Sequence, residues 1–334
     1  MAVITEISRY FNEKSVAQLL EDKEPIRTPV WNRVFTKDVQ LGLGYVSRKI
    51  VSDTTGNVPL IKRGTSSIPL NDGNEQTDLF EPQPLAINHV LKAKDMIDLK
   101  QMDNEFSLRQ WIADKFESQK NVIDRTIEAL CCQALRGSID YSIKVFDGDL
   151  GDYKVDFGST LAVPAAFAGN WDTASITDIF KDLQALANTI KLGTIYGSRI
   201  GILAGENVYN TLIGKAMGVS TSTSVNMKVE PDTVILNGWK IENFSTAQYT
   251  NIKTGQKVKA VGDDEILLFA EDAPFQLTFL AIDDFDAHGE AKLIARDFYP
   301  KLIKEEDPSA YKIMTQSKFF PMPVPGATII ATCL

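Results

Sequence analysis

Side chains able to do chemistry are sparse in this sequence, and their spacing assembles no familiar site. Histidine occurs only at His89 and His288. A His-x-x-x-His zinc helix therefore cannot be built, and no Cys-x-x-Cys pair takes its place. Gly214-Lys215 is followed by Ala216 and lacks the glycine five positions upstream that lets a backbone loop cradle phosphate. Gly197-Ser198-Arg199-Ile200-Gly201 matches neither a nucleophile elbow nor a dinucleotide loop. Two acidic runs come nearest to cation loops. Asp284-Phe285-Asp286-Ala287-His288-Gly289 opens with calcium-loop spacing, but Ala295 stands where the bidentate carboxylate is needed. Asp147-Gly148-Asp149 fails because Asp152 occupies the obligatory glycine. Both read as polar turns with solvated carboxylates. A serine–histidine–aspartate triad needs no adjacency in sequence, yet nothing singles out one serine. Cys131 and Cys132 are neighbours and Cys333 is penultimate, which reads as small buried side chains rather than a disulfide framework. These residues predict no catalytic centre, no metal and no cofactor.

The elements that would have to position such residues are much better marked. Ser107 to Gly137 reads as one long helix. Ser107 is a candidate N-cap with Gln110 completing a capping box, and Phe106 and Trp111 stand at the two positions of a hydrophobic staple. Leu108, Ile112, Phe116, Ile123, Ile127, Leu130 and Ala134 form one apolar stripe. Asp114, Lys115, Glu117, Lys120, Asp124, Arg125 and Glu128 occupy the other faces, and Gly137 supplies a left-handed stop. At ~1.5 Å per residue the rod is roughly 43 Å long. Such a rod predicts a spine laid across a sheet, its charged flanks left for solvent or for other copies of the chain.

Before the spine, residues 1–38 read as an arm: a short helical pattern at Val16, Leu19 and Leu20, then an acidic run broken by Pro25 and Pro29. From Val39 the period changes to two and runs on through Arg48, Lys49, Ile50 and Val51 to a turn at Asp53–Asn57. The chain returns through Val58-Pro59-Leu60-Ile61-Lys62-Arg63 to Gly64. This predicts a long hairpin with little local sequence to cover it, and an isolated hairpin is only marginally stable in water. Either it folds back on its own domain or it lies on a neighbouring subunit, and the second is the expectation. Asn71–Pro84 reads as a polar connector and Leu85–Leu91 as a strand.

After the spine, strands are expected at Tyr141–Phe146 and Tyr153–Phe157, and a hinge over 160–170. A helix capped by Ser175 follows, then a strand at Arg199–Leu203 and a helix at Glu206–Ile213. Thr233–Phe244 reads as a hairpin about Asn237-Gly238, and further strands are expected at Ile266–Phe269 and Phe275–Ile282. Helices and strands mix without a βαβ repeat, so the class is α+β.

The chain has 334 residues, 44% hydrophobic and 24% charged, with a net charge of -9, a normal globular balance with length for more than one core. No apolar run approaches the ~18 residues of a membrane span, and Met1 to Tyr10 lacks the pattern of a secretory signal. The negative balance argues against gripping nucleic acid by bulk electrostatics, though not against surrounding it.

The C-terminal stretch carries a resemblance. Ala295-Arg296-Asp297-Phe298-Tyr299-Pro300-Lys301, Glu306-Asp307-Pro308, Thr315-Gln316-Ser317 and Pro321-Met322-Pro323 resemble the closing signature of the lambda-type major capsid proteins of tailed phages, the capsid E family. Pro59–Gly64, Lys92-Ala93-Lys94-Asp95, Leu135-Arg136-Gly137, Val155-Asp156-Phe157-Gly158 and Asn170-Trp171-Asp172 fall in the family's order. The resemblance implies the Hong Kong 97-type capsid fold, with an N-terminal arm (1–38), an extended E-loop hairpin with connector (39–84), a peripheral domain on the spine (85–165 with 285–334) and an axial domain (166–284). It implies a structural virion protein, assembled in the host cytoplasm as hexamers and pentamers of an icosahedral phage or prophage head around double-stranded DNA. Scaffolding, portal and decoration proteins are its implied partners; no membrane is. An encapsulin-like shell or a monomeric hydrolase are the alternatives. No maturation cleavage site stands out in the arm, and no lysine–asparagine crosslink pair can be assigned. On an otherwise acidic chain, the basic cluster Arg48, Lys49, Lys62 and Arg63 on the hairpin is expected to meet Asp114, Glu117 and Glu128 on a neighbour's spine.

Overall fold

A computed structural model of the chain describes residues 11, 13–21, 23–51, 75–92, 95, 105–146, 149–218, 227–287, 293–305 and 310–334. The first helix, α1 (Glu13–Glu21), lays Val16 and Leu19 against the spine. Pro29 then opens a helix rather than breaking one. It stands in the first turn of α2 (Pro29–Arg33), where its missing N–H costs nothing and its fixed φ suits the helix. The expected arm is thus stitched into the main core, because Val30, Val34 and Phe35 are buried there.

The alternating run from Val39 also divides differently from expectation. Its start belongs to β1 (Lys37–Leu41), and a bend over 42–45 separates it from β2 (Val46–Val51). β3 (Glu75–Phe80) and β4 (Leu85–Lys92) follow. The spine itself is α3 (Glu105–Leu135), ended by Gly137 at φ 95. Its two halves serve two cores. Ile112, Ala113 and Phe116 join Val16, Leu19, Leu91 and Ile313 in a small cluster, whereas Ile123 to Leu135 belong to the main one. The helix begins two residues before the expected N-cap, so Ser107 stands inside its first turn and cannot cap it, and Gln110, read as the return arm of a capping box, donates to Asp114 at 2.9 Å instead. The Phe106 side chain of the expected staple lies outside those described.

β5 (Ser138–Phe146) and β6 (Asp149–Asp156) form an antiparallel hairpin. Helix α4 (Ile176–Gly193) begins as expected, with Ser175 Oγ accepting from the Asp178 amide at 3.2 Å. β7 (Ile200–Ala204), α5 (Glu206–Gly218), β8 (Met227–Glu230), β9 (Thr233–Leu236) and β10 (Trp239–Asn243) come next. Asn237 and Gly238 turn the β9–β10 hairpin at φ 48 and 94, the primed geometry that matches strand twist. β11 (Gln248–Thr250) pairs only with β12 (Lys257–Lys259) among the described residues. The chain closes with β13 (Glu265–Ala270), β14 (Gln276–Leu280), β15 (Tyr299–Glu305), β16 (Ala310–Ser317), β17 (Phe319–Met322) and β18 (Thr328–Thr332).

Three sheets carry the architecture. A six-stranded sheet runs β18-β13-β7-β10-β9-β8, with α4 against β13 and β18 and α5 against β8 and β9. A second sheet, β15-β16-β4, supports the first half of the spine, and a third, β1-β14-β17, holds β1 parallel to β14. Two memberships cross the boundaries read from the sequence. β18 was expected with the spine unit but pairs with β13, and β14 pairs with β1 and β17 rather than within the six-stranded sheet. The segment read as a hinge is tied to the C-terminus at both ends. The Leu161 amide donates to the Thr328 carbonyl, and the Trp171 amide to the Cys333 carbonyl, each at 2.8 Å.

Candidate functional site

The β2–β3 ribbon is the most distinctive surface element. These two strands form a sheet of their own, with Val46 opposite Phe80, Arg48 opposite Asp78 and Val51 opposite Glu75. The partner of Val46–Val51 is therefore the polar stretch taken for a connector. Val58–Gly64, with Lys62 and Arg63, lies outside the described residues. The reason is physical: a ribbon joined by backbone hydrogen bonds needs no apolar alternation, so Glu75-Gln76-Thr77-Asp78 leaves no period-two signature. Its base is anchored in the body. Val46 is buried, Phe80 packs 5.4 Å from both Phe157 and Phe320, and the Tyr153 hydroxyl donates to the Glu81 carbonyl at 3.2 Å. Leu79 is exposed.

The acidic residues expected on the outer face of the spine separate into two groups. Asp114 and Glu117 both bind Lys23, at 2.9 and 2.8 Å. Hydrogen bonding to Lys23 holds the Asp114 carboxyl below the usual carboxylate range, and the two acids raise the lysine. Glu128 is not on the surface. It is buried, its two oxygens accepting the amides of Val30 at 2.8 Å and Trp31 at 3.0 Å. Burial pushes its carboxyl upward, partly offset by those amides. The expectation that Glu128 meets a neighbour is corrected: it is buried, and both its oxygens are engaged by the first turn of α2 within its own subunit. Asp124 is likewise buried and held by Lys120 at 2.6 Å.

Sequence reasoning missed the ion pairs that tie the early chain and the end of the spine to the six-stranded sheet and its flank. Arg33 donates to Glu242 at 2.8 and 2.9 Å and to Glu271 at 2.5 Å, its guanidinium lying over the Phe269 ring. Arg136 forks onto Glu265 at 2.8 and 3.1 Å, and Glu265 also accepts the Gly262 amide at 2.9 Å. Partners lie 129 to 238 residues apart, so no local pattern could have revealed them.

Among the described residues, no three His, Cys, Asp or Glu side chains converge on a metal position. Asp284 and Asp286 are drawn together by Lys301, at 3.0 and 2.5 Å, which makes that turn an ion-pair cluster. Burial pushes the thiols of Cys131, Cys132 and Cys333 up, away from the thiolate that reactivity requires. His89 lies on β4 beside Trp111, ring centroids 6.5 Å apart, and burial lowers it. No helix among the described residues is long and apolar enough to cross a membrane.

Known proteins share the fold built from this ribbon, spine and three sheets. The profile of the phage major capsid protein E family matches residues 13–333. A crystal structure assigned to a capsid protein of an Escherichia coli CFT073 prophage superposes with a TM-score of 0.61 at 16% identity, over 96% of this chain and 98% of that one. The mature capsid of bacteriophage PhiM1 gives 0.50 at 11% identity, over 93% and 88%. The capsid of cyanophage A-1(L) gives 0.49 at 11%, over 94% of each. No curated protein matches the sequence.

Proposed function

This chain belongs to the phage major capsid protein E family and has the Hong Kong 97-type fold, so it is the structural subunit of an icosahedral phage or prophage head, within which we propose that it forms hexamers and pentamers joined through the β2–β3 ribbon. Many copies make one shell, and the protein is a virion component whose family is structural rather than enzymatic.

The observation that carries the ribbon's role is its isolation: β2 and β3 pair only with each other among the described residues. A two-stranded ribbon is only marginally stable alone. A specific contact needs roughly 800 Å² per partner, and an extended ribbon supplies such area for few residues. Arg48 and Lys49, together with Lys62 and Arg63, would reach Asp114 and Glu117 of a neighbour, competing there with that neighbour's Lys23. The division into arm, E-loop, peripheral and axial domains is retained, with 328–332 moved to the axial unit on the strength of the β18–β13 pairing. Scaffold-directed assembly of a precursor, expansion as double-stranded DNA enters, and docking of portal and decoration proteins complete the reading. The net charge of -9 favours an enclosing rather than gripping relation to the DNA.

The test is sedimentation and negative-stain microscopy of the wild-type chain and of R48E/K49E, each expressed alone and with its genomic neighbours. Shells, tubes or rings of five or six are expected from the wild type, and folded, unassembled subunits from R48E/K49E. Normal shells from R48E/K49E would remove the ribbon from the contact. A wild-type monomer under every condition would remove the assembly reading itself.

A further inference from the structure

Between the segment linking α1 to α2 and the middle of α3 lies an open cleft of about 800 Å³, walled on its far side by β11 and β12. Three cations line it: Arg27 from the linking segment, Arg125 from the spine and Lys257 from β12. All three are exposed, and among the described residues none is paired with a carboxylate. That sets them apart from Lys23, Arg33, Lys253 and Lys301, each of which holds two acids. The carboxylate that lines the cleft, Glu128, is one acid against three cations, and both its oxygens are held by the Val30 and Trp31 amides rather than by any of the three.

With three cations to one acid, the concavity keeps a positive excess and a local field opposite to that of the whole molecule. Their complement must come from outside the subunit. Nucleic acid is the poorer candidate, since non-specific affinity grows with the number of phosphates neutralised and three cations on a chain of net charge -9 can neutralise few of them. An acidic protein surface is the better match. In a shell built from one chain, the acidic surface at highest local concentration is another copy, with 44 acids to 35 bases.

We infer that the Arg27–Arg125–Lys257 cleft receives a carboxylate-bearing segment of a second copy of this chain. The inference rests on the reading of the protein as a shell subunit and adds a contact of opposite polarity to the ribbon: here the receiving surface is the cation. The Gln248 side chain at the rim adds hydrogen-bonding capacity for an incoming carboxylate.

Two measurements decide it. In the first, assemblies formed from an equal mixture of unlabelled and ¹⁵N-labelled chains are treated with a carbodiimide. The reagent condenses a lysine amine with a contacting carboxylate, with loss of water, into an amide. A mixed-label peptide joining Lys257 to an Asp or Glu is expected; only same-label links at Lys257, or none, overturns the contact. In the second, R125E/K257E is compared with K37E/K144E, which makes the same charge change at exposed positions outside the cleft. At least a tenfold rise in the protein concentration needed for assembly is expected for R125E/K257E, with K37E/K144E close to wild type. Equal behaviour of the two variants overturns the inference. So does unimpaired assembly of R125E/K257E with loss of DNA retention, which would make the occupant a polyanion. A wild-type chain that never assembles overturns the shell reading first, a result that the comparison of variants keeps separate.

Discussion

Glu128 Oε1 accepts the Val30 amide at 2.8 Å across 98 residues of sequence, with Oε2 on the Trp31 amide at 3.0 Å. The first amides of a helix have no partner within it, so a spine carboxylate completes α2 and fixes where the early chain enters the core. Charge-assisted bonds to two amides offset the cost of taking a carboxylate out of water. The residue thus works within its own subunit, although its helical spacing aligns it with surface charges.

Removing that carboxylate should loosen the early chain. Glu128→Ala leaves two amides unpaired in the interior and is expected to cost about 3 kcal/mol, whereas Glu128→Gln keeps one acceptor and should cost about half as much. Urea denaturation of unassembled subunits reads both. An E128A midpoint equal to that of wild type would show that Glu128 contributes nothing to anchoring α2.

The same group gives a pH signature. Burial raises the Glu128 carboxyl in the folded chain above its ordinary 4.5. Between the unfolded and folded values the native state therefore binds the extra proton, and stability from this group falls as pH rises through that window. Below the unfolded value the group exerts no pH dependence. Plotted as wild type minus E128Q, unfolding free energy should decline with rising pH just above pH 4.5 and then level off. A difference that climbs over the same range would reverse the assigned direction.

Glu265 should show the opposite sign. Its fork with Arg136 holds the carboxyl below the usual value of 4.5, so the stabilisation is complete above that value and is lost as pH falls through the depressed one. The Arg136 side chain is 40% exposed, and solvent screening limits the pair to about 1 kcal/mol. Glu265→Gln is expected to lower stability by about that amount at pH 7, with the gap to wild type closing in acid. A gap that persists unchanged below pH 3 would assign the loss to something other than the ion pair.

What could be read from sequence was what short stretches of chain decide for themselves. The Ser175 cap, the Asn237-Gly238 turn and the Gly137 stop are properties of a few adjacent residues, and each holds. The fold class and family followed from ordered motifs running from the hairpin to the C-terminus. Illegible were relationships that depend on which distant segments meet. The parallel pairing of β1 with β14 joins Lys37 to Gln276, and neither strand carries a mark of the other. The ribbon's second strand, Glu75–Phe80, is polar, and its pairing is made by backbone groups that every residue has. Glu128 was misplaced because helical periodicity separates polar from apolar faces but cannot tell solvent from a buried amide as a carboxylate's partner.

Two glycines, Gly205 just before α5 and Gly214 within it, turn this distinction into a measurement. A Cβ on Gly205 would stand 1.8 Å from the Gly262 carbonyl oxygen and 2.7 Å from that of Asp263. Both are backbone atoms, and the Asp263 carbonyl accepts the Asn207 and Val208 amides at 3.0 and 3.3 Å where the helix begins. Relieving the clash would pull that carbonyl away from the amides it satisfies, so Gly205→Ala is expected to cost about 3 kcal/mol or more. Gly214, further along the same helix, has nothing within 4 Å of the equivalent position. There the methyl group meets open space and the gain in helix propensity remains, so Gly214→Ala should stabilise by about 0.5–1 kcal/mol. Thermal melts of the two variants should shift in opposite directions. A shift of the same sign in both would mean that helix propensity, and not the approach of Gly205 to the chain at 262–263, governs this end of the six-stranded sheet.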